Sequence, residues 1–344
     1  MITLHSVAEK IKKISKYVAI IFTALIFTIW IIPIVKQAKE NLFPAPPMPP
    51  TVSFGKLPPI IFPKINEKKT YTYNIETLSG KLPQLPITTK VHTIINPMQS
   101  LLLLKKSIRD ANSVNFTSSP IYISELEYKW DNKNNPKQSL FLNILYRNFT
   151  ITNNNSDILD PLEKTKPSRD ESIKAVQLLV NSLNHNSTDI DYTKTNYTYY
   201  KIENNIPMEI KNTANMQLIK INLFQNKINN LPIYYENPPY STMNFLIDKN
   251  NEILSGEFFH YSPKEENATY PIKLAELAFE ELKKGKAYIP YYGKVNKILI
   301  RNIFLAYYLG KENQQYIQPI IVFEGDDNFF AYVSAVSDEW VQNQ

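Results

Sequence analysis

Residues 17–35, Tyr17 to Val35, form a run of nineteen amino acids without a charged side chain, preceded by Lys10, Lys12, Lys13 and Lys16 and followed by a proline-crowded stretch. Nothing else in the chain restricts its fold as strongly. At a rise of about 1.5 Å per residue the run makes ~28 Å of helix, close to the ~30 Å hydrocarbon core of a bilayer. Tyr17 and Trp30 are amphipathic aromatics suited to the membrane interface, and Pro33 falls in the last turn, where its cost is small. The rival readings are a cleaved signal peptide and a buried soluble helix. A signal peptide has a shorter apolar core, about 7–15 residues, and ends at a small-x-small site. Here Ile31 to Val35 gives way to Lys36 with no such site. We therefore expect a cytoplasmic basic tail at 1–16 and a single-pass signal anchor at 17–35. Four lysines before the run outweigh Lys36 and Lys39 after it, which favours an N-terminus in the cytoplasm and a C-terminal region outside it.

Residues 36–65 read as an extended stalk. Prolines at 44, 46, 47, 49, 50, 58, 59 and 63 fix φ and disfavour helix in the residues before them, so polyproline II is expected. At about 3.1 Å per residue such a spacer reaches ~60 Å. A ligand for a proline-binding module is the alternative reading. The interruption Thr51 to Lys56 is a candidate point of docking on the folded part or on another subunit.

The remaining region is long enough for two or three small domains, and 43% hydrophobic with 12% aromatic residues is the composition of a folded chain. With no cysteine, thiol catalysis, iron–sulfur clusters and cysteine zinc sites are excluded. A net charge of +6 comes from 38 basic and 32 acidic residues with no basic block outside the anchor flank, which gives nucleic-acid binding no support. Only seven glycines occur, and the abundance of Asn, Lys, Ile and Tyr is that of A/T-rich codons.

Three helices are expected. One starts at Asn96-Pro97 and runs through Leu101, Leu104, Ile108 and Ala111; the second starts at the capping box Ser168 to Glu171 and ends near Asn184. The third opens at Tyr270-Pro271 and stops at Lys283-Lys-Gly285. Between them the period falls to two. Hairpins are expected from Ile219–Leu223 with Leu231–Tyr235 around Asn229-Asn230, from Tyr122–Trp130 with Leu140–Thr152, and from Ile317–Glu324 with Phe329–Val336 around Gly325–Asn328. Tyr71–Thr77 reads as an edge strand. The fold class is α+β: two or three helix-on-antiparallel-sheet units, divided as 66–160, 161–265 and 266–344.

No catalytic, cofactor-binding or metal-ligating set is expected. His92, His185 and His260 stand singly, and His5 lies in the basic tail. No nucleophile elbow, P-loop or dinucleotide fingerprint is present. Carboxylate pairs remain, Asp189 with Asp191 and Glu324 with Asp326 and Asp327, for hydrolysis or calcium, against the plainer reading that such clusters make turns. Tyrosines 197, 199, 200, 234, 235, 240, 291 and 292 crowd the second half; they suit sheets, and exposed ones suit sugar stacking or protein contact.

The run Leu305-Ala-Tyr-Tyr308, then Tyr316 to Gly325 and Phe330 to Val336, with Tyr73 to Pro86 earlier, resembles a family of uncharacterised single-pass proteins of small-genome candidate-phyla bacteria. Helix-then-meander units ending in such a strand pair are also similar to PepSY-like domains and to YycI-type regulators. The second resemblance implies a membrane-anchored protein that restrains a sensor kinase by contact. The expectation is a non-enzymatic accessory or regulatory protein of the cell envelope, touching lipid through 17–35 and another envelope protein through its sheets. A cell-wall or surface-glycan binder using exposed tyrosines is the alternative, and a carboxylate-pair hydrolase the third class.

Overall fold

The computed structural model describes residues 49–64, 71–153, 166–184, 188–204, 206–290 and 296–342, and in the apolar run positions 22, 23, 25, 27–32 and 35, all helical. The rest of that run, the basic tail, residues 36–48, His185, Tyr291 and Tyr292 lie outside the described residues. Among the described residues no helix is long and apolar enough to cross a membrane. Residues 1–49 and 50–344 are two compact units.

In chain order the second unit contains β1 (Thr72–Ile75), β2 (Thr88–Ile94), α1 (Leu103–Ser113), β3 (Ile121–Tyr122), β4 (Glu127–Asp131), β5 (Gln138–Asn143) and β6 (Phe149–Asn153). There follow α2 (Arg169–Leu183), β7 (Asn196–Glu203), β8 (Ile206–Ile210), β9 (Leu218–Asn222), β10 (Ile233–Tyr234), β11 (Met243–Ile247) and β12 (Ile253–Phe258). Last come β13 (Pro263–Pro271), α3 (Ala275–Lys283), β14 (Lys297–Tyr308), β15 (Tyr316–Gly325) and β16 (Phe330–Ser334). The fold is mixed α+β, with two sheets and few helices.

Sheet A is ordered β1-β14-β15-β2-β13, with β10 on β14 and β16 on β15; sheet B is ordered β3-β4-β5-β6-β12-β11-β9-β7-β8. Sheet A therefore takes its strands from 72–94 and 233–334, whereas sheet B takes its strands from 121–258. The divisions at 160 and 265 expected from sequence order do not coincide with either sheet, because β1 and β2 pair with β14 and β15 at the far end of the chain. β14 is the spine: one edge holds β1 and β10 in parallel, the other holds β15 antiparallel.

α2 starts where the capping box places it. The Glu171 amide donates to Ser168 Oγ at 3.4 Å, Asp170 and Glu171 sit in the first turn beside the positive helix end, and Val176, Val180 and Leu183 are buried. It packs on β9 and β12 of sheet B, with α1 beside it. α3 lies on β16 of sheet A and ends as expected, with Gly285 in the left-handed region at φ 71°. Two helix starts differ from expectation. α3 begins at Ala275, after Tyr270-Pro271 has finished β13. α1 begins at Leu103, not Asn96, since the Ser100 hydroxyl turns the chain by accepting from the Leu102 amide at 3.2 Å and only from Leu103 onward do apolar residues reach the core.

The strand pairs around 131–136 and 325–328 form, as β4–β5 and β15–β16, though Leu140–Thr152 is two strands broken by a turn at 144–148. The Asn229-Asn230 turn also forms, both residues at positive φ, but the segments it joins go to different sheets: β9 lies in sheet B, and β10 pairs with β14 in sheet A. One core therefore spans both sheets, joining Ile94, Tyr307, Leu309 and Ile317 to Ile219, Ile221, Phe245 and Leu142. Gly256 is needed there, because a Cβ would lie 2.4 Å from the Phe245 ring.

The second half of the expected stalk does not stand clear of this unit. The Val52 amide donates to Thr269 O at 3.0 Å on the outer edge of β13, Tyr270 Oη donates to Gly55 O at 2.9 Å, and Gln318 Nε2 donates to Pro58 O at 2.8 Å. Leu57 is completely buried and bridges in parallel to Val341, and Phe62 stacks on Tyr288 at 4.9 Å. Prolines deny this segment a local hydrogen-bonding partner, so the body's edges supply one. The segment is a strap. We expect Leu57→Ala to lower unfolding free energy by about 2–5 kcal/mol, while Ile61→Ala, on an exposed strap residue, changes it by less than about 0.5 kcal/mol. Chemical denaturation with an unchanged m-value checks both.

Candidate functional site at the junction of the sheets

A cleft of about 630 Å³ opens where β4, β5 and β6 of sheet B meet the loop joining β14 to β15 of sheet A. Its walls carry Phe141, Tyr146, Phe259 and Tyr261, with Asn143, Asn148, Thr150 and Asn313 between them and Lys311, Glu312 and Glu127 at the border. Side chains alternate across strands, so Leu140 and Leu142 of β5 face the core while Phe141 and Asn143 turn the other way, onto one concave surface with Phe259 and Tyr261 beyond β12.

The turn after β5 sets the floor. Asn143 Oδ1 accepts from the amides of Leu145 (3.1 Å) and Tyr146 (2.9 Å), and the chain then passes through Arg147 at φ 64°. That left-handed backbone is held from beneath. Arg147 donates to Asp110 Oδ2 at 2.6 Å and Ser107 Oγ at 2.6 Å, both on α1, and to Leu183 O at 2.7 Å at the end of α2. Burial lowers the Arg147 guanidinium's affinity for its proton, and the Asp110 carboxylate works to restore it. Arg147 thus ties both helices to the cleft floor.

Beside the floor, His260 Nε2 meets Asp189 Oδ1 at 2.5 Å, Gln225 Nε2 donates to Asp189 Oδ2 at 2.8 Å, and the His260 amide donates to Asn148 Oδ1 at 3.1 Å. Burial acts to raise the Asp189 carboxyl, but the His260 contact and the Gln225 hydrogen bond outweigh it and hold the group below its ordinary value. On the opposite wall Lys311 is gripped from several sides: Nζ donates to Glu257 Oε2 at 2.6 Å, its amide donates to Glu236 Oε1 at 2.6 Å, and its carbonyl accepts from Tyr261 Oη at 2.9 Å. Burial raises Glu236 despite the Lys311 amide, and burial lowers Lys220 despite Glu257. Glu236, Glu257 and Lys311 join residues after β10, in β12 and after β14, so this network bolts sheet A to sheet B.

The candidate carboxylate pairs hold separate partners. Asp189 faces His260, while Asp191 caps a short turn through Thr193 and pairs with Lys194 at 2.5 Å. Asp326 is bidentate with Arg301 at 2.9 and 2.7 Å, and Glu324 accepts from Asn302 at 3.0 Å. His92 meets the Asn229 amide at 2.7 Å. No group of three or more metal-ligating side chains is present among the described residues. Sequence reading treated Asp189 and His260 separately, because their 71-residue separation carries no signal; Arg147 and Lys311 gave none either. Of the tyrosines, Tyr234, Tyr235 and Tyr240 line a second cavity of about 360 Å³ with Lys194, Lys227 and Glu324. Tyr197 and Tyr199 flank the Arg169 guanidinium at 5.3 and 5.0 Å instead.

No protein-family model matches the chain, and no curated protein matches it. Several solved structures are similar to it in part, two of which illustrate the likeness. An uncharacterised protein from Eubacterium rectale ATCC 33656 has a TM-score of 0.43 and 15% identity over 79% of this chain and 91% of its own. The Bacillus megaterium YpeB C-terminal domain is a distant neighbour, with a TM-score of 0.30 and 6% identity over 73% of this chain and 97% of its own. Neither likeness carries a functional argument.

Removing the Arg147 charge takes from the buried Asp110 its 2.6 Å partner and leaves it the longer contact to Arg109 at 3.6 Å, so Arg147→Met is expected to cost about 3–5 kcal/mol and Arg147→Met with Asp110→Leu to recover most of it; denaturation midpoints read both. Asp189, held low in the folded state, contributes stability above its unfolded pKa that is lost as pH falls through the folded value. Asp189→Asn should therefore destabilise at neutral pH and flatten the loss of stability as pH falls through and below the ordinary carboxylate range, as followed by thermal melts at descending pH.

Proposed function

We propose that this chain is a single-pass, N-in envelope protein whose extracytoplasmic region, made of PepSY-like helix-and-sheet elements, is a non-enzymatic accessory or regulatory subunit that holds a segment of another envelope protein in the junction cleft. The observation that carries the reading is the cleft's make-up: a preformed concavity with aromatic walls and an amide-rich lining, braced by the Lys311–Glu257 pair at its border and by the His260–Asp189 contact beside its floor. Aromatic anchors flanked by adaptable amides are what protein recognition uses, and fixed ion pairs keep such a surface in shape before binding. The charge-free run at 17–35, with its basic N-terminal flank, supports the anchor.

A second reading rests on the cavity around Tyr234 and Tyr240, where aromatic faces and the charged groups of Lys194, Lys227 and Glu324 suit a surface glycan. Binding of the purified protein to isolated wall material, abolished by Tyr240→Ala, would support it; no binding would end it.

For the leading reading, a photoreactive residue in place of Tyr146, Phe259 or Asn313 should give one protein adduct of common mass in native membranes, and none from Glu266, exposed on β13. Monomer and lipid adducts alone from all four positions would overturn it.

A further inference from the structure

Between β2 and α1 the chain exposes apolar side chains that no described residue covers. Met98 is 87% exposed, Leu102 65% and Ile95 49%, and Leu101 is entirely in solvent. The helix that follows turns Leu103, Leu104 and Ile108 to the core and leaves Lys105 and Lys106 exposed, with Arg109 76% exposed. Its one acid, Asp110, is buried, with one oxygen on Arg147 at 2.6 Å and the other 3.6 Å from the Arg109 guanidinium, whose outer side stays in solvent. Across a groove lined by Leu101 and Leu104 stands the β3–β4 turn, with Glu125 as the acidic side chain bordering it. Beyond that turn Tyr122 is 63% exposed.

We propose that the tip formed by residues 95–102, with Lys105, Lys106 and Arg109 behind it, seats this region on an anionic bilayer surface. A groove would fit a partner's helix, but a wholly exposed Leu101 marks a protrusion, which enters a soft interface more readily than it packs on a rigid one. Large apolar residues backed by cations on one helix are the make-up of interfacial membrane contacts. Lysine and arginine stems lie along the apolar boundary while their charges reach headgroup phosphates, and Tyr122 suits the same depth. The contact does not depend on the anchor and would set the junction cleft, which shares Glu125 and Leu126 with the groove, beside the membrane.

The chain has no cysteine, so Met98→Cys gives one labelling position for an environment-sensitive fluorophore. The full chain is reconstituted with vesicles of phosphatidylcholine alone or of equimolar phosphatidylcholine and phosphatidylglycerol, each carrying a brominated lipid quencher. The label should be quenched several-fold more strongly in the anionic vesicles, and a label at Ser79→Cys, on an exposed turn, should stay unquenched in both. With roughly a fivefold gain in partition per cation, Lys105→Glu, Lys106→Glu and Arg109→Glu together should abolish the quenching. Flotation reads the anchor separately: an anchored chain floats with both vesicle types, and an unanchored one only with the anionic type. Equal quenching in the two lipids, none in either, or shielding of the label that depends on protein concentration or on an added protein would overturn the proposal.

Discussion

The folded unit from residue 50 onward depends on the pairing of its two ends. β1 aligns with β14, β2 with β15, and Leu57 with Val341, so sheet A cannot close until the last strands exist. Such pairings carry a high loop-closure cost and make folding slow compared with local contacts. In return, the stretch between β2 and β13, which builds sheet B, is held at both ends by neighbouring strands of sheet A. The shared core and the Glu236–Lys311–Glu257 network follow from that enclosure, and the junction cleft is its open side.

That arrangement gives the strap its meaning. Prolines that would make a free polyproline spacer are, from residue 50 onward, an edge cover: Thr51 and Val52 occupy the outer side of β13, and Leu57 and Phe62 fill hollows between aromatic rings. An uncovered edge such as β13 invites pairing with another chain. The free edge of β8 is blunted differently, by Pro207 and the charged Glu209. The expected stalk is correspondingly shorter than composition alone suggests.

Local chemistry was legible and long-range assignment was not. The Ser168 cap, the Gly285 stop and the 325–328 turn follow from side-chain hydrogen bonding and left-handed backbone preferences that act within a few residues. Scarce glycine even left a readable substitute: Asn115, Asn204, Asn229, Asn230, Asn251 and Asn328 take the positive-φ positions that glycine fills elsewhere. The Asn229-Asn230 turn shows the limit. Its geometry is local, but whether the flanking strands pair with each other is decided by β14, about seventy residues on. The same limit hid the candidate site, since Asp189 with His260 and Arg147 with Asp110 meet only after the sheets have closed. Leu101 misled for a related reason: helical spacing of apolar residues says that a face exists, not that the core is what it faces.

Native-state hydrogen exchange on the Leu57→Ala protein tests most directly whether the two sheets are one cooperative body with the cleft as its junction. If they are, slow amides of β9 and β11 in sheet B should lose as much protection as those of β2 and β15 in sheet A, since all open in one global step. Loss confined to sheet A, with β9 and β11 unchanged, would show two independently stable sheets and contradict the account.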